Sequence, residues 1–418
     1  MSVGDDRSVI EAVWRLEAPR ILGALSRVVR DVDLAEQCAH DALVAALEQW
    51  PRDGTPESPG AWLLAVARRR LLDDLRRQRR EQEGLLGLGR QFLERQLAAS
   101  AERDDAFGDD VLRLMFLCCH PSLPPEARTA LTLRLLGGLS TDEIARAYLV
   151  PEPTIAQRIV RAKRTLAEHR DDFDLPGEQG LAARTGAVLE VVYLMFNEGY
   201  AASSGERSLR VDLCEEALRL ARLLAASLPR QAEVHGLAAL LELQASRLPT
   251  RQGEQGDPVL LFEQDRSRWD RLLVQRGLAA LAVAESLGEV AGPYVLQARI
   301  AACHARAATP AATDWAGIVA HYDQLLGVAP SPVVALNRAV AVAMAFGVEV
   351  GLYLVDDLAQ EPALAEYHLL PSVRGELLRR LGRVDEARAE FLRAATKTGN
   401  AAERAALLRR AAACGAGG

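Results

Sequence analysis

One stretch restricts the fold of this chain more than any other, namely residues 140–166, STDEIARAYLVPEPTIAQRIVRAKRTL. Ser140 with Glu143 three residues later matches a capping box, which predicts that a helix begins there. Pro151 ends this first helix, and Pro153 suits the first turn of a second helix, where its missing N–H would lack a partner anyway. The stretch therefore predicts two helices joined by a tight turn.

The second predicted helix has an apolar face and a basic face. Apolar residues recur at helical spacing on its inward face: Ile155, Ile159, Ala162 and Leu166. Polar residues lie off this stripe: Gln157, Arg158, Arg161 and Arg164. A polar second helix is typical of a helix-turn-helix, in which that helix enters the major groove of DNA. An ordinary helical hairpin with a solvated basic face would give the same pattern.

Composition favours helices throughout the chain. The 418 residues are 49% hydrophobic but only 5% aromatic, and aromatic residues are among those that strands prefer. We therefore predict an all-α protein of several domains. The net charge of −7 excludes a uniformly basic DNA-coating protein, so any contact with nucleic acid must come from local patches.

The six cysteines do not form a metal-binding pattern. None belongs to a CxxC pair, so the sequence predicts neither a zinc ribbon nor a disulfide framework. Cys118, Cys119 and His120 are adjacent, and the apolar run before them favours core thiols over a metal site. No signal peptide or transmembrane span is expected. We expect a cytoplasmic protein with no cofactor and no bound metal.

Changes of composition divide the chain into segments. Residues 1–80 predict one helical domain, and residues 81–110, with several glycines and an acidic cluster, predict a flexible linker. Residues 111–172 hold the helix-turn-helix, and residues 173–180 form a boundary that contains Pro and Gly. Residues 181–418 predict one helix after another.

A second basic segment lies in the first domain, in the predicted helix PGAWLLAVARRRLLDDLRR. Its arginines include Arg68, Arg69, Arg70 and Arg76. Arg69 is also spaced to pair with Asp73 four residues later on the same helix. The same spacing joins Arg70 to Asp74. The segment therefore predicts either a nucleic-acid surface or a set of surface ion pairs.

The end of the chain shows repeat character. Small and aromatic residues fall at the spacing of a tetratricopeptide repeat (TPR): Gly375, Ala387, Phe391 and Ala394. A weaker copy stands 36 residues earlier: Ala339, Gly351, Val355 and Leu358. Small residues let antiparallel helices approach closely, and stacked pairs bury one another's faces. We predict TPR-like helical pairs here, with an irregular helical bundle as the alternative.

Two basic helical units joined by a linker resemble the extracytoplasmic-function (ECF) sigma factors of bacterial RNA polymerase. DLAEQCAHDALVAALEQW resembles the region-two helix that docks on the β′ clamp of polymerase. PGAWLLAVARRRLLDDLRR resembles the promoter-melting helix, and LPPEARTALTLRLLGGLSTDEIA with RIVRAKRTL resembles region four. The resemblance covers about residues 8–170. It implies core RNA polymerase (β′ clamp and β flap) and promoter DNA as partners.

The resemblance also implies roles for particular residues. Binding of core polymerase is implied for Asp33, Glu36, Asp41, Leu43 and Trp50. Contacts with the start-proximal promoter element are implied for Trp62, Arg68, Arg69, Arg70 and Arg76. For Trp62, a core role that anchors its helix to its neighbours is the more common reading. In region four, groove contacts are expected from Gln157, Arg158 and Arg161. Phosphate contacts are expected from Lys163, Arg164 and Arg170, with solvation of the helix end as the alternative.

The C-terminal part resembles the long, repeat-containing helical extension of one subgroup of these factors. VVYLMFNEGY and LLPSVRGELLRRLGRVDEARAEF look like signature stretches of that subgroup. Within the first stretch, Asn197, Glu198 and Tyr200 are candidates for a regulatory site that binds a protein or small-molecule signal. The alternative is that this stretch ends a helix and turns the chain at Gly199. The extension is then expected to regulate the factor in cis.

Two other functions fit parts of the sequence. A helix-turn-helix transcriptional regulator with a TPR-like partner domain would bind DNA without engaging core polymerase. The extension alone could also be an enzyme or a peptide-binding scaffold, but the chain contains no GxSxG, P-loop or HExxH motif. We therefore predict a protein that is not an enzyme.

Overall fold

The computed structural model describes most of the chain and is almost entirely helical. It covers residues 3–81, 106–148, 150–169, 173, 178–200, 204–205, 209–253 and 258–415. Within these residues the named strands are β1 (Ser204–Gly205) and β2 (Gly399–Asn400), which pair in parallel. The prediction of an all-α protein is confirmed. Most of the predicted linker, residues 82–105, lies outside the described residues. No described helix is both long and apolar enough to cross a membrane.

The chain divides into two compact units, Met1–Val191 and Val192–Gly418. The first unit contains α1 (Val3–Val29), α2 (Val32–Asp53), α3 (Pro59–Glu81), α4 (Ala106–Cys118), α5 (Pro125–Leu135), α6 (Thr141–Tyr148) and α7 (Glu152–Glu168). The division falls inside the next helix, α8 (Glu178–Tyr200). The domain boundary at residues 173–180 stays a prediction.

Local sequence explains where α2 begins and ends. The Asp31 carboxylate accepts a hydrogen bond from the backbone N–H of Leu34 at 3.1 Å, which caps the helix N-terminus. Gly54 has a φ of 87°, a conformation that favours glycine, and it ends the helix. Alanines form the fully buried face of α2: Ala35, Ala39, Ala42 and Ala46. Their small side chains allow α1 and α3 to pack closely on this face.

The helix-turn-helix prediction is confirmed in its local details. The backbone N–H of Ser140 donates to the Glu143 carboxylate at 2.7 Å, and the N–H of Glu143 donates to the Ser140 hydroxyl at 3.1 Å. This reciprocal pair is the capping box that begins α6. Helix α7 begins beside Pro153. Its buried side chains are the predicted inward stripe: Ile155, Ile159, Ala162 and Leu166.

The second unit is a succession of helices. After α8 come α9 (Val211–Ser227), α10 (Ala232–Ala245), α11 (Arg271–Ser286), α12 (Pro293–Arg306), α13 (Trp315–Val328), α14 (Pro332–Phe346), α15 (Val348–Leu358), α16 (Leu369–Arg380), α17 (Val384–Lys397) and α18 (Ala401–Gly415). Short 3-10 turns lie at Leu248–Thr250, Arg266–Arg268, Pro310–Ala312 and Pro362–Leu364. Successive helices from α13 to α18 pack against each other, as stacked helical pairs should.

Small residues at the predicted repeat positions bring paired helices together. A Cβ placed on Gly375 of α16 would lie 2.9 Å from the ring of Phe391 on α17. A Cβ on Gly351 of α15 would lie 2.2 Å from the Cβ of Ala343 on α14. Both contacts are closer than any side chain larger than glycine allows. The close-approach role that the sequence predicted for these positions is confirmed.

Candidate nucleic-acid interface

Helix α7 directs most of its predicted DNA-binding side chains to solvent. Gln157, Arg161 and Arg164 are exposed, and Arg158 is partly buried. The opposite stripe of α7 packs against α5 and α6. Arg164 pairs with Glu168 at 4.0 Å while its side chain stays 84% exposed, and an exposed pair of this kind contributes little to stability. The outer face therefore offers amide and guanidinium groups suited to phosphates and base edges.

Lys163 points away from this face, toward α2. Its side chain is only 12% exposed. Its ammonium donates to the Asp33 carboxylate at 2.8 Å and makes a second, shorter contact with the Glu36 carboxylate. In this conformation Lys163 contacts two of the carboxylates predicted to bind polymerase. Arg170, another predicted phosphate contact, lies outside the described residues.

The helices of the first unit form two modules, α1–α3 and the helix-turn-helix module α4–α7. Glu36 of the first module is held by two cations from the second. The Arg134 guanidinium of α5 donates to its Oε1 at 3.0 Å, and Lys163 of α7 contacts its Oε2. Arg134 also lies 3.4 Å from the ring nitrogen of His40. Burial alone would raise the pKa of Glu36, but the hydrogen bond from Lys163 and the charges of both cations lower it below its usual value. Glu36 is therefore a buried, ionised carboxylate.

The pKa of Lys163 responds in the opposite sense. Burial lowers it, but the hydrogen bonds to Asp33 and Glu36 outweigh burial, so the pKa lies above its usual value. Each partner therefore favours the charged form of the other. The contact joins the second helix of the helix-turn-helix to the predicted polymerase-docking helix.

A second contact between the two modules is formed by Arg27 of α1 and Asp110 of α4. Asp110 is buried, and its carboxylate lies 3.4 Å from Arg27 of α1 and 3.5 Å from Arg113. A Cβ on Gly23 of α1 would lie 2.4 Å from the Asp110 carbonyl oxygen, so the helices approach closely here. Burial and the charge of Arg27 lower the pKa of Arg68, while the charge of Asp110 opposes this.

Part of the basic segment of α3 lies on the protein surface, as predicted. Arg69 and Arg70 are exposed. The predicted ion pairs four residues apart are not the ones formed in the described part of α3. Asp73 pairs with Arg76 at 3.3 Å, three residues further on. Asp74 pairs with Arg77 in the same way, at 3.0 Å. The acids turn toward the following arginines, which leaves the preceding ones on the outer surface.

Two tryptophans join α2 to α3. Trp50 is only 4% exposed, and its ring lies edge-on to that of Trp62, with 5.5 Å between centroids. Trp62 is partly buried. This geometry makes Trp50 a packing residue in this conformation, although the resemblance placed it among the polymerase contacts.

The outer surface of α2 contains apolar side chains that the sequence analysis did not single out. Val44 is 52% exposed and Leu47 is 39% exposed. Asp41 and Leu43 beside them are partly buried. Residues three positions apart lie on the same face of a helix. Because alanines form the buried face of α2, the spacing of Val44 and Leu47 would have predicted an exposed apolar pair on another face.

The predicted regulatory residues lie at the end of α8. The stretch ends the helix at Tyr200, one residue after Gly199. A Cβ on Gly199 would lie 2.8 Å from the backbone nitrogen of Cys214, so α8 and α9 approach closely there. Tyr200 stacks on Phe196, and the Arg251 guanidinium lies 3.9 Å from its ring centroid. The Tyr200 hydroxyl finds no hydrogen-bond partner within the described part of the chain.

The other two residues predicted with Tyr200 have the same intermediate burial. Asn197 and Glu198 are both partly buried on α8. The regulatory role of these residues stays a prediction.

The adjacent cysteines are packed in the core of the first unit. Cys118 and Cys119 are buried, and burial raises the pKa of both thiols, that of Cys119 to about 12. The His120 ring accepts or donates at 2.7 Å to the Ser122 hydroxyl. No group of three or more metal-ligating side chains occurs among the described residues.

Two helical modules in this order, with a helix-turn-helix in the second, define a class of promoter-recognition proteins. Family models agree: residues 13–81 match sigma-70 region 2, and residues 113–166 match sigma-70 region 4. Residues 184–285 match a family of unknown function, DUF6596.

Curated relatives cover different parts of the chain. An uncharacterised protein, R00370, of Rhizobium meliloti (strain 1021) is 44% identical over 93% of this chain and 91% of its own length. The ECF RNA polymerase sigma factor SigK of Mycobacterium ulcerans is 29% identical over 35% of this chain and 78% of its own length. SigC of Mycobacterium tuberculosis (strain CDC 1551 / Oshkosh), also an ECF sigma factor, is 27% identical over 40% of this chain and 80% of its own. No solved structure matches the chain significantly.

The chain belongs to the ECF sigma factors, in the subgroup with a long C-terminal helical extension. Members of this family are transcription initiation factors rather than enzymes.

Proposed function

We propose that this protein binds core RNA polymerase through region two and directs initiation at promoters that region four recognises. The outward basic face of α7 carries the proposal, because its inward stripe is fixed against α5 and α6. A second helix held in this way can enter the major groove. SigK and SigC, which are similar to 35% and 40% of this chain, are RNA polymerase sigma factors by name.

Region four would read the upstream promoter element. Gln157, Arg158 and Arg161 are the proposed groove contacts, since amide and guanidinium groups form paired hydrogen bonds with base edges. Arg164, near the end of α7, is the proposed phosphate contact. Region two would approach the start-proximal element through Arg69 and Arg70, which are exposed on α3.

Docking on polymerase would use the outer surface of α2. The proposed contacts are Asp33, Glu36, Asp41 and Leu43, extended by the exposed Val44 and Leu47. An apolar pair flanked by carboxylates is a suitable protein-binding surface, because the apolar groups are buried on docking and the acids select a basic partner.

The contacts of Glu36 support a closed conformation of the free protein. Lys163 and Arg134 enclose the Glu36 carboxylate, so polymerase can reach it only after region four moves away from α2. Docking and release of region four would then be coupled, because the polymerase competes with two internal cations for one carboxylate.

Run-off transcription with purified core polymerase tests the main proposal. A variant with Arg158→Glu and Arg161→Glu should lose promoter-specific initiation and bind promoter DNA at least about 30-fold more weakly, with core binding retained. Arg276→Glu with Arg388→Glu is the matched control, because both arginines are exposed in the second unit and the change of charge is equal. Initiation that survives the first pair would contradict this use of α7. Absence of core binding by the unaltered protein would favour a regulator that acts without polymerase.

We further infer that the extension regulates the factor in cis. The second unit, Val192–Gly418, is larger than the first and forms a separate compact body of helices. A chain that ends at residue 175 should differ from the full chain in run-off yield at equal core occupancy. Core binding by the shorter chain is the control for its folding. Equal yields would exclude the regulatory role.

A further inference from the structure

A pocket that is partly open to solvent lies within the second unit, among its helices. Its volume is about 240 Å³. At about 30 Å³ per molecule, that is the volume of roughly eight waters. The walls come from α14, α16 and α18, from the start of α13, and from the segment before α11. A space of this size suits a small organic molecule rather than a polypeptide segment.

Most of the cavity wall is apolar. The apolar side chains on it include Phe262, Trp315, Val340, Met344, Val373 and Leu377. Water in contact with such walls forms few hydrogen bonds. Its displacement by an apolar group of a ligand therefore favours binding. The walls therefore favour a ligand whose larger part is apolar.

The polar part of the wall has a surplus of positive charge. Three guanidinium groups line the cavity, those of Arg266, Arg380 and Arg410, against one carboxylate, Glu376. Glu376 is already shared, because it accepts hydrogen bonds from Arg379, Arg380 and Arg410. Burial alone would raise the pKa of Glu376, but these cations lower it to about 2. One carboxylate thus serves several cations and leaves the cavity net positive.

Arg266 is the most deeply buried of these cations. It is 6% exposed, and its guanidinium donates to the carbonyls of His304 and Ala307 and to the Thr313 hydroxyl. These acceptors are neutral, and the Arg266 Nε has no partner among the described residues. Burial and the charge of Arg247 lower its pKa. A buried cation without a counter-ion is costly, so an anion bound in the cavity would stabilise it.

Arg380 presents a second donor that lacks a good acceptor. Its Nε donates to Glu376 at 2.9 Å, while its Nη1 faces the sulfur of Met344 at 2.9 Å. A thioether sulfur is a weak acceptor. The guanidinium is kept in place by the ring of Phe262, with 4.8 Å to the ring centroid. A carboxylate oxygen would accept from this guanidinium more strongly than the sulfur does.

We propose that the cavity binds a small monocarboxylate with an aromatic or branched apolar body. Arg380 and Arg266 supply charge for the carboxylate, and the apolar walls enclose the body. An inorganic anion would pair with the guanidinium groups but leave the apolar walls in contact with water. A neutral aromatic molecule would cover the apolar walls but leave the guanidinium groups without a counter-ion.

Isothermal titration calorimetry on the full chain tests this assignment with three probes. Phenylacetate combines an aromatic body with a carboxylate, 2-phenylethanol is its neutral counterpart, and inorganic phosphate supplies charge alone. Phenylacetate should bind with one site per chain, and 2-phenylethanol at least about tenfold more weakly, because the charged hydrogen bonds are lost. Absence of phenylacetate binding, or equal binding of 2-phenylethanol or of phosphate, would overturn the assignment.

Variants separate the cavity from other surfaces. Arg380→Gln should raise the dissociation constant of phenylacetate about tenfold or more, since Glu376 keeps its other two arginine partners. Arg383→Gln is the matched control, because that arginine pairs with Glu386 on the surface and should leave binding unchanged. Val340→Phe should fill the cavity and abolish binding, with a melting temperature no lower than that of the parent. Unaltered binding in Arg380→Gln or in Val340→Phe would refute the site. The measurement is independent of whether the protein starts transcription.

Discussion

The contact between Lys163 and Glu36 gives the sharpest prediction, because one substitution should strengthen polymerase binding. Lys163→Met keeps the length and packing of the side chain but removes its charge. The mostly buried hydrogen bond to Glu36 contributes about 1.5–3 kcal/mol. The bond to Asp33, whose side chain is 69% exposed, contributes about 0–1 kcal/mol. Arg134 still neutralises Glu36 in the variant. We therefore expect the closed conformation to lose about 2 kcal/mol.

This loss converts directly into an affinity for polymerase. A shift of about 2 kcal/mol changes the ratio of open to closed protein about 30-fold. When the open form is a minor population, the apparent dissociation constant falls by the same factor. Titration of core polymerase with the fluorescently labelled full chain should therefore give an affinity for Lys163→Met up to about 30-fold higher than for the parent.

Two further variants serve as controls for that titration. Lys163→Arg keeps a cation beside Glu36 and should stay close to the parent. Lys397→Met removes a lysine that pairs with Glu366 in the second unit, and it should change nothing. If Lys163→Met binds core polymerase as the parent does, the contact does not restrict docking. If it binds more weakly, Lys163 supports the docking surface instead of covering it, and the closed-state reasoning is wrong.

Three stability predictions follow from single residues and can be measured by urea unfolding. Burial and two nearby arginines lower the pKa of His304 to about 3 in the folded protein. Below the usual histidine pKa of about 6.5, the unfolded chain therefore binds one proton more than the folded chain. Stability should fall by about 2 kcal/mol from pH 7 to pH 5, and His304→Gln should remove most of that loss. Gly375→Ala should cost about 1–3 kcal/mol through its clash with Phe391, whereas Gly327→Ala, which meets no neighbouring atom, should be neutral or stabilising. Ser140→Ala removes a capping hydrogen bond and should lower the free energy of unfolding by about 1 kcal/mol. An unchanged free energy of unfolding would show that the cap does not stabilise the protein.

Features that depend on neighbouring residues were predictable from the sequence. The capping box at Ser140 and the inward stripe of α7 follow from spacing along one helix. The close approach at Gly375 follows from a repeat whose partner position, Phe391, is only one helix away. In each case the geometry is set within a few turns of the chain, so the local pattern determines it.

Contacts between modules were not predictable in the same way. Lys163 and Glu36 are separated by 127 residues, and Arg134 and Glu36 by 98. Lys163 lies among arginines that face solvent, so the composition of this segment suggested that Lys163 contacts a phosphate. Its position does carry a weak signal, because it directly follows Ala162 of the inward stripe and so borders the buried face. No pattern within α7 identifies the acid that it meets.

The ion pairs of α3 show a different limit of sequence reasoning. Spacings of three and four residues both place side chains on one helix face, and Asp73 has an arginine available on each side. The choice between Arg69 and Arg76 depends on side-chain rotamers, which the sequence does not fix. The observed choice of Arg76 matters for function, since it leaves Arg69 on the exposed surface proposed to face DNA.

The two roles suggested for Lys163 become compatible when the closed conformation is taken into account. In that state its charge is neutralised by Asp33 and Glu36, so it adds nothing to the basic face of α7. Movement of region four away from α2 would expose the Glu36 carboxylate to polymerase and the Lys163 ammonium to phosphate at the same moment. Each binding event would then remove the competitor of the other, which is positive coupling between polymerase and promoter through a single internal ion pair.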